Sequence, residues 1–167
     1  MERGELEEAL RSLGLKRGEV VFVHSSLSSI GNVEGGAETV VDAFLRVLGQ
    51  DGTLIAPTFT FNNGGVQFDP LRDPSGMGRI SEAIRTHPRA LRSVHMYHSV
   101  AAVGRQAEEV ASVQGASAWS GDGPFWQLNV LDARIVLLGV SYLSCTFFHV
   151  IEQLVDVPYR KWDLEEG

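Results

Sequence analysis

The chain has 167 residues, of which 44% are hydrophobic and 21% charged, so it fits one globular domain and a disordered chain is excluded. Its net charge of −7 argues against a nucleic-acid partner, because phosphate binding needs a basic face; it would help to concentrate a cationic substrate, and solubility alone is the alternative explanation. The single cysteine excludes an internal disulfide framework, and neither a signal peptide nor a run of ~18 apolar residues is present, so we expect a cytoplasmic protein with no membrane span.

The first two predicted elements are an amphipathic helix and a buried strand. Leu6, Leu10 and Leu13 recur at helical spacing among charged residues, which predicts a helix over residues 5–13. Residues 20–23 form a short, continuous apolar run that is rich in β-branched side chains. Such a run is typical of a strand that is buried on both faces of a sheet.

A polar loop, a second helix and a second strand follow. Residues 24–31 are rich in serine and lead towards a helix over residues 37–48, whose apolar side chains share one face. Residues 53–56 predict the next buried strand. The following 20 or so residues are loop-like, and a loop of this length in a compact domain is usually functional. A helix over residues 79–86 comes next.

The second half of the chain continues the alternation. Residues 99–103 and 135–140 are further strand candidates, each followed by a short helix, and Pro124 lies where the first turn of another helix is expected. Residues 1–167 therefore predict a single α/β domain, a three-layer α/β/α sandwich with a largely parallel central sheet. Because ligands of such sheets bind at the carboxyl ends of strands, the loops that follow the strands are the places to search for chemistry.

The first of these loops follows the opening strand. Ser25, Ser26, Ser28 and Ser29 offer hydroxyls and backbone N–H groups to an approaching phosphate, with no bulk to block it. The N-terminus of a following helix would add partial positive charge. The alternative is a helix-capping turn that is merely rich in serine.

A second segment holds two histidines, His95 and His98, three residues apart. The pair could bind a metal, but no third ligand is evident in a local pattern. One histidine that acts as a general base needs only a nitrogen that titrates near neutral pH and a carboxylate that orients it. The structural alternative is a hydrogen-bonded histidine of the core.

The third segment follows the last predicted strand and contains His149 and Glu152. On a helix, residues three apart share a face, so both side chains can point into one cleft. The glutamate could orient an imidazole there or hold an ammonium group. An incidental ion pair on a solvated helix face would explain the same spacing.

Together and in this order, the motifs closely resemble those of the aminoglycoside 3-N-acetyltransferase family, the antibiotic N-acetyltransferases whose fold is distinct from GNAT. The resemblance extends over nearly the whole chain, from about residue 6 to residue 161. Its motifs are His24-Ser-Ser-Leu-Ser-Ser-Ile-Gly31, Gly52-Thr-Leu-Ile-Ala-Pro-Thr-Phe-Thr60, Phe68-Asp-Pro70, Pro74-Ser-Gly-Met-Gly78, His95-Met-Tyr-His-Ser99, Gly123-Pro-Phe125 and Thr146-Phe-Phe-His-Val-Ile-Glu152.

The resemblance implies an acyltransferase of antibiotic resistance that moves an acetyl group from acetyl-CoA directly to the 3-amino group of an aminoglycoside, without an acyl-enzyme or a metal. It implies His98 as the general base, since this is the second histidine of the His-x-x-His pair, and Glu152 as the carboxylate that stabilises its imidazolium. The implied cofactor-binding residues are His24, Ser25, Ser26, Leu27, Ser28, Ser29, Gly31, Pro57, Thr58, Met77, Pro124 and Phe125. The implied acceptor-binding residues are Asp69, Tyr97, His149 and Glu152.

Three departures from the family pattern bear on this prediction. Met96 stands where proline is expected, and Gly76 replaces a residue that is commonly basic. Family members usually extend well beyond this length, so the chain resembles a member without the usual C-terminal region. Either another subunit, as in a homo-oligomer, completes the acceptor cleft, or the cleft is open and the substrate differs. Three alternatives stay open: another amine or amino sugar as acceptor, CoA binding without catalysis, and a serine hydrolase, which lacks the Gly-x-Ser-x-Gly elbow.

Overall fold

The computed structural model describes residues 1–61, 67–113, 115 and 117–160. Its helices are α1 (Arg3–Ser12), α2 (Gly36–Leu48), α3 (Arg79–Arg85), α4 (Ala107–Ser112), α5 (Pro124–Val130) and α6 (Phe148–Leu154). Its strands are β1 (Val20–Ser25), β2 (Thr53–Pro57), β3 (Leu91–Arg92), β4 (Val100–Gly104) and β5 (Arg134–Leu138). Short 3-10 helices, Leu27–Ile30 and Tyr142–Ser144, follow β1 and β5. Over these ranges, no helix combines the length and the apolar character that crossing a membrane requires.

The five strands form one mixed sheet in the order β3-β4-β2-β1-β5. β1 pairs in parallel with β2 and with β5, whereas β4 runs antiparallel to both β2 and β3. The predicted α/β class is therefore confirmed, but a largely parallel sheet is only partly correct. The difference arises at residues 93–99, because so short a connection between β3 and β4 reverses the chain and cannot make a parallel crossover.

Side chains of the strands alternate between two apolar clusters. In β1, Val21 and Val23 join a cluster with side chains of α1, α2 and α3. Phe22, between them, joins a second cluster with side chains of α4, α5 and α6. Burial of both faces is the reason why residues 20–23 form an uninterrupted apolar run, as the sequence predicted.

The helix faces follow the predicted pattern with one exception. α1 buries Leu6 and Leu10, but Leu13 is exposed because the helix already ends at Ser12. The expectation that Leu13 belongs to the buried face is therefore wrong. α5 begins at Pro124, where the missing backbone N–H costs no helical hydrogen bond, as predicted.

The strand directions bring four chain segments to one edge of the sheet. β1, β2 and β5 end there because they are parallel, and β4 begins there because it is antiparallel to β2. The serine-rich loop, the loop after β2, the two-histidine segment and the segment before α6 therefore meet at this edge.

Candidate active site

The serine-rich loop leaves β1 and enters the 3-10 helix Leu27–Ile30. Its hydroxyls gather around Ser26, whose Oγ lies 2.8 Å from Ser29 Oγ and 3.2 Å from Ser28 Oγ. Ser28 and Ser29 are exposed, and Leu27 anchors the loop by packing against the core. The loop thus presents a group of small polar side chains to solvent, which is the arrangement that the phosphate-binding hypothesis requires. Ser25, in β1 itself, is half-buried, and Gly31 is exposed.

The end of β5 holds this loop in place. The backbone N–H of Ser26 donates to Leu138 O over 2.9 Å, which continues the pairing of β1 with β5. The next residue, Gly139, has a φ of +70°, and a Cβ there would lie 2.8 Å from Ile30 Cγ2 and 3.0 Å from Ser26 O. Only glycine therefore allows the two segments to approach so closely.

His24 is enclosed by the protein and does not face the phosphate-binding surface predicted for it. The residue is 5% exposed, its Nε2 lies 3.4 Å from Thr146 Oγ1, and its ring packs edge-on against Phe22. Burial lowers the pKa of His24 from 6.5 to about 4, so the imidazole is neutral at pH 7. Its side chain therefore packs inside the protein, against Phe22 and Thr146, and offers no charge to an anion.

Four of the residues predicted to line the cofactor channel are buried: Pro57, Thr58, Pro124 and Phe125. Pro57 is part of β2, and Phe125 lies in the apolar cluster on the inner side of α5. Thr58 Oγ1 lies 3.3 Å from Ser99 Oγ within a buried polar network. Of the channel residues outside the serine loop, Met77 alone keeps partial exposure, so the other side chains do not line an open channel in this structure.

His98 lies in an aromatic cluster just before β4. Its ring centroid is 4.7 Å from that of Trp119 and 5.3 Å from that of Phe59. Burial, more than the nearby His95 and His149, lowers the pKa of His98 to about 4. Among the described residues, no carboxylate contacts this ring and no hydrogen bond reaches its nitrogens. The ring is therefore neutral at pH 7 and a weak proton acceptor.

The two-histidine segment does not form a metal site within the described ranges. His95 Nδ1 accepts a hydrogen bond from the backbone N–H of His98 over 3.2 Å, so it closes the local turn. No group of three or more histidine, cysteine, aspartate or glutamate side chains converges as metal ligands in that part of the chain. Tyr97, predicted on the acceptor side, is half-buried in the same turn.

α6 carries a hydrogen-bonded pair of functional side chains. His149 Nδ1 lies 2.7 Å from Glu152 Oε2, and Glu152 also accepts from Tyr159 and Arg160 over 3.1 and 3.0 Å. The bond to His149, more than those from Tyr159 and Arg160, lowers the pKa of Glu152, so the carboxylate stays ionised. The His149 side chain is 45% exposed. With Nδ1 engaged, its Nε2 is the nitrogen that remains for proton exchange.

The structure thus corrects the predicted partner of the carboxylate. The i,i+3 spacing does put His149 and Glu152 on one helix face, as expected, but Glu152 bonds to His149 in this structure and makes no contact with His98. Both imidazoles contact Trp119, with centroid distances of 4.7 Å for His98 and 5.0 Å for His149. The two histidines therefore belong to one site and have different surroundings.

Asp69, predicted on the acceptor side, organises its own loop. Its Oδ1 accepts from Leu71 N over 2.9 Å, and its Oδ2 lies 3.6 Å from the exposed Arg72 Nε. The carboxylate remains 42% exposed, so it can still meet a cation. In the described ranges, no contact links it to His149 or Glu152.

Arg92, which no sequence motif singled out, connects the Asp69 loop to the sheet. The residue is half-buried at the end of β3, and its guanidinium donates to Thr58, Thr60, Ser99, Pro70 and Asp73. A single arginine in a short extended segment produces no periodic pattern and no recognised motif. Only its position beside the predicted histidine pair could have drawn attention to it.

Comparison with known proteins connects this geometry to a family. Residues 22–167 match the family described as aminoglycoside 3-N-acetyltransferase. The SPbeta prophage-derived aminoglycoside N(3′)-acetyltransferase-like protein YokD of Bacillus subtilis is 32% identical over 93% of this chain and 65% of its own length. Aminoglycoside N(3)-acetyltransferase III of a Salmonella species is 33% identical over 96% of this chain and 63% of its own length. The chain therefore spans slightly less than two thirds of the length of these relatives.

Solved structures of similar proteins share the fold. A histidine-to-alanine variant of aminoglycoside acetyltransferase AAC(3)-IVa in complex with apramycin superposes with a TM-score of 0.87 and 32% identity, over 95% of this chain and 65% of that one. AAC-IIIb in a binary complex with CoASH superposes with a TM-score of 0.88 and 26% identity, over 95% of this chain and 66% of that one.

Proposed function

Because the chain belongs to the aminoglycoside 3-N-acetyltransferase family, we propose that it transfers an acetyl group from acetyl-CoA to an amino group of an aminoglycoside. The default position is the 3-amino group of the deoxystreptamine ring. The observation that carries the proposal is the His149–Glu152 pair, at 2.7 Å, on the sheet edge that also bears the exposed serine hydroxyls. A cytoplasmic enzyme of antibiotic resistance is the corresponding cellular role.

His149 is the general base in this proposal. Its Nε2 accepts a proton from the amine as the amine nitrogen bonds to the thioester carbonyl carbon. The carbon–sulfur bond breaks, and the departing thiolate takes the proton back from the His149 imidazolium, so that CoA leaves as a thiol and the base is neutral again. Glu152, bonded to Nδ1, fixes the tautomer and stabilises the imidazolium that forms. General-base help of this kind contributes typically about 10²–10⁴ in rate.

His98 is better suited to packing than to proton transfer. A base with a pKa of about 4 holds a proton too weakly to draw one from an amine efficiently. The ring instead fills the space between Phe59 and Trp119 and shapes the floor of the site. We therefore move the catalytic assignment from His98, where the family motif directed it, to His149.

The serine loop and the acidic residues support the two substrates. Ser26, Ser28 and Ser29 offer hydroxyls for the donor's phosphates or its pantetheine arm, and a structural neighbour is a complex with CoASH. On the acceptor side, ionised Glu152 and the exposed Asp69 attract ammonium groups, in keeping with the net charge of −7. Structural neighbours in complex with apramycin and sisomicin support an aminoglycoside acceptor.

The fold supplies a scaffold for this arrangement. The apolar clusters containing helices α1–α3 and helices α4–α6 support the three-layer sandwich that the alternation of elements predicts. We further propose that residues 1–167 act as one domain in which the sheet edge holds the site. A homo-oligomer belongs to the same proposal.

The test is an assay of CoA release with purified protein, acetyl-CoA and a panel of amines. Sisomicin, gentamicin and apramycin represent deoxystreptamine acceptors, and glucosamine represents other amino sugars. His149→Asn should lower kcat by about 10²–10⁴, the share of a general base. His98→Phe, which keeps an aromatic ring between its neighbours, is the matched control and should retain kcat within about tenfold.

Each outcome separates the alternatives. Loss of activity in His98→Phe with full activity in His149→Asn would return the catalytic role to His98. Turnover with glucosamine but with none of the aminoglycosides would show that the acceptor is another amino sugar. CoA binding without any turnover would show that the protein binds CoA but is not a catalyst. An acyl-serine detected by mass spectrometry would favour the hydrolase alternative.

A further inference from the structure

One guanidinium joins three segments that meet at the candidate site. Arg92 Nη1 donates to the carbonyl of Asp73 over 2.6 Å and to that of Pro70 over 3.4 Å. Nη2 donates to Thr60 Oγ1 over 2.9 Å and also to the Thr58 carbonyl. Nε lies 3.1 Å from Ser99 Oγ and 3.2 Å from Thr58 Oγ1. All three nitrogens of the guanidinium therefore donate hydrogen bonds.

Two of these three segments flank His98. Phe59, between Thr58 and Thr60, packs edge-on against the His98 ring at 5.3 Å. Ser99 follows His98 directly, and its carbonyl accepts from the backbone N–H of Thr58 over 2.8 Å. Arg92 thus holds the two chain segments that carry Phe59 and His98.

The third segment is the loop that carries Asp69. Asp69 N donates to Asp73 Oδ2 over 2.9 Å, so the anchor on the Asp73 carbonyl also holds Asp69. The Phe68 ring lies 4.8 Å from the guanidinium carbon, which adds a cation–π contact on the same loop. Arg92 is therefore a direct link between the Asp69 loop and the sheet, beside the bonds from Thr60 Oγ1 to Pro74 O and from Gly76 N to Phe59 O.

The chemistry requires an arginine. A planar guanidinium presents five N–H donors in a rigid fork, whereas a lysine ammonium is a point charge with three donors. Lysine at this position cannot serve acceptors that lie in three different segments. The acceptors that would lose their donor are buried in Thr58, Thr60 and Ser99 and half-buried in Pro70 and Asp73, so they could be satisfied only by water, and the loop would move to admit it.

We propose that Arg92 is a positioning residue that holds the Asp69 loop at the acceptor side of the site. This inference rests on the proposed function, because it assigns Asp69 to the ammonium groups of an aminoglycoside. It predicts that loss of the fork weakens acceptor binding and leaves donor binding intact, since no Arg92 contact reaches the serine loop.

The first experiment measures hydrogen exchange of the full chain. In Arg92→Lys, backbone amides of residues 69–77 should exchange about tenfold faster or more than in the wild type, as the loss of one or two net hydrogen bonds allows. Amides of α2 should be unchanged. Arg134→Lys is the control, because Arg134 pairs with Glu19 at the opposite edge of the sheet. Unchanged exchange in the loop, or equal acceleration throughout the molecule, would overturn the proposal.

The second experiment measures binding by calorimetry, so that it does not depend on turnover. The Kd for sisomicin should rise about tenfold in Arg92→Lys while the Kd for CoA stays within about twofold, and Arg134→Lys should change neither. Equal weakening of both ligands would indicate a merely structural role. If wild-type protein does not bind sisomicin, the inference fails; if it binds sisomicin without acetylating it, only the proposed catalysis fails.

Discussion

Gly139 offers a test of the serine loop with a single methyl group. Alanine at a φ of +70° costs roughly 1–2 kcal/mol of backbone strain. Its Cβ would also lie 2.8 Å from Ile30 Cγ2, 3.0 Å from Ser26 O and 3.1 Å from Ser29 Cβ, so the loop must shift. Overpacking of this kind costs about 1–3 kcal/mol. We therefore expect Gly139→Ala to lose about 2–5 kcal/mol of unfolding free energy.

Gly14→Ala separates the strain from the collision. Gly14 has a φ of +87°, but a methyl group added there would have nothing within 4 Å, so alanine should cost only roughly 1–2 kcal/mol. Urea unfolding followed by circular dichroism gives both stabilities, and calorimetry gives the affinity for CoA. Gly139→Ala should bind CoA about tenfold more weakly, a loss of about 1.4 kcal/mol, while Gly14→Ala binds as the wild type does.

Two results would refute this reasoning. Equal destabilisation by the two alanine substitutions would show that the close contact between Gly139 and the loop does not contribute to the loss of unfolding free energy. Unchanged CoA affinity in a destabilised Gly139→Ala would show that the serine loop is not where the donor binds. The second result would remove the donor site from the proposed function and leave the His149–Glu152 pair untouched.

Three further outcomes follow from charge and burial. The pKa of His24 is about 4 in the folded state and 6.5 ordinarily, so the unfolded chain binds the proton more tightly. The contribution of His24 to the free energy of unfolding is therefore complete above pH 6.5 and is lost as the pH falls towards 4. His24→Gln should flatten this pH dependence in urea unfolding, and the part due to His98 should remain. Glu82→Gln should cost about 1.5–3 kcal/mol of unfolding free energy, because the nearly buried Arg85 loses a bidentate carboxylate. Glu7→Gln, in more exposed pairs, should cost less than about 1 kcal/mol in the same measurement, and equal losses at the two glutamates would contradict both expectations.

The strands were predictable wherever both of their faces are buried. The apolar runs located β1, β2 and β4 to within two residues, because burial on both sides leaves no polar position to interrupt the pattern. The edge strand β5 was located as closely from its apolar composition, although Arg134 and Leu137 in it are exposed. The direction of β4 was not predictable, since an apolar run has the same composition in either direction. Its direction follows from the short connection to β3. Because β3 has only two residues, it leaves little trace in the sequence.

The site was predictable where its geometry is local. The spacing of His149 and Glu152 on one helix turn was sufficient to predict a shared face. The pairing of Glu152 with His98 required knowledge of two distant segments, and in the structure Glu152 bonds to His149 instead. The burial of His24 could not be predicted from the sequence either. A histidine at the end of an apolar strand can face either solvent or the helices that cover the sheet.

The place of β5 in the sheet has a consequence for biosynthesis. Glu19 and Arg134, which pair beside β1 and β5, are 115 positions apart in the chain. At translation rates of about 5–20 residues per second, β5 is made roughly 6–23 s after β1. During that interval α1, α2 and β2 can already assemble on the ribosome, while one side of β1 still lacks its neighbour. Unpaired strand edges recruit other chains, so slower translation should increase misassembly, and nascent-chain chaperones should improve recovery.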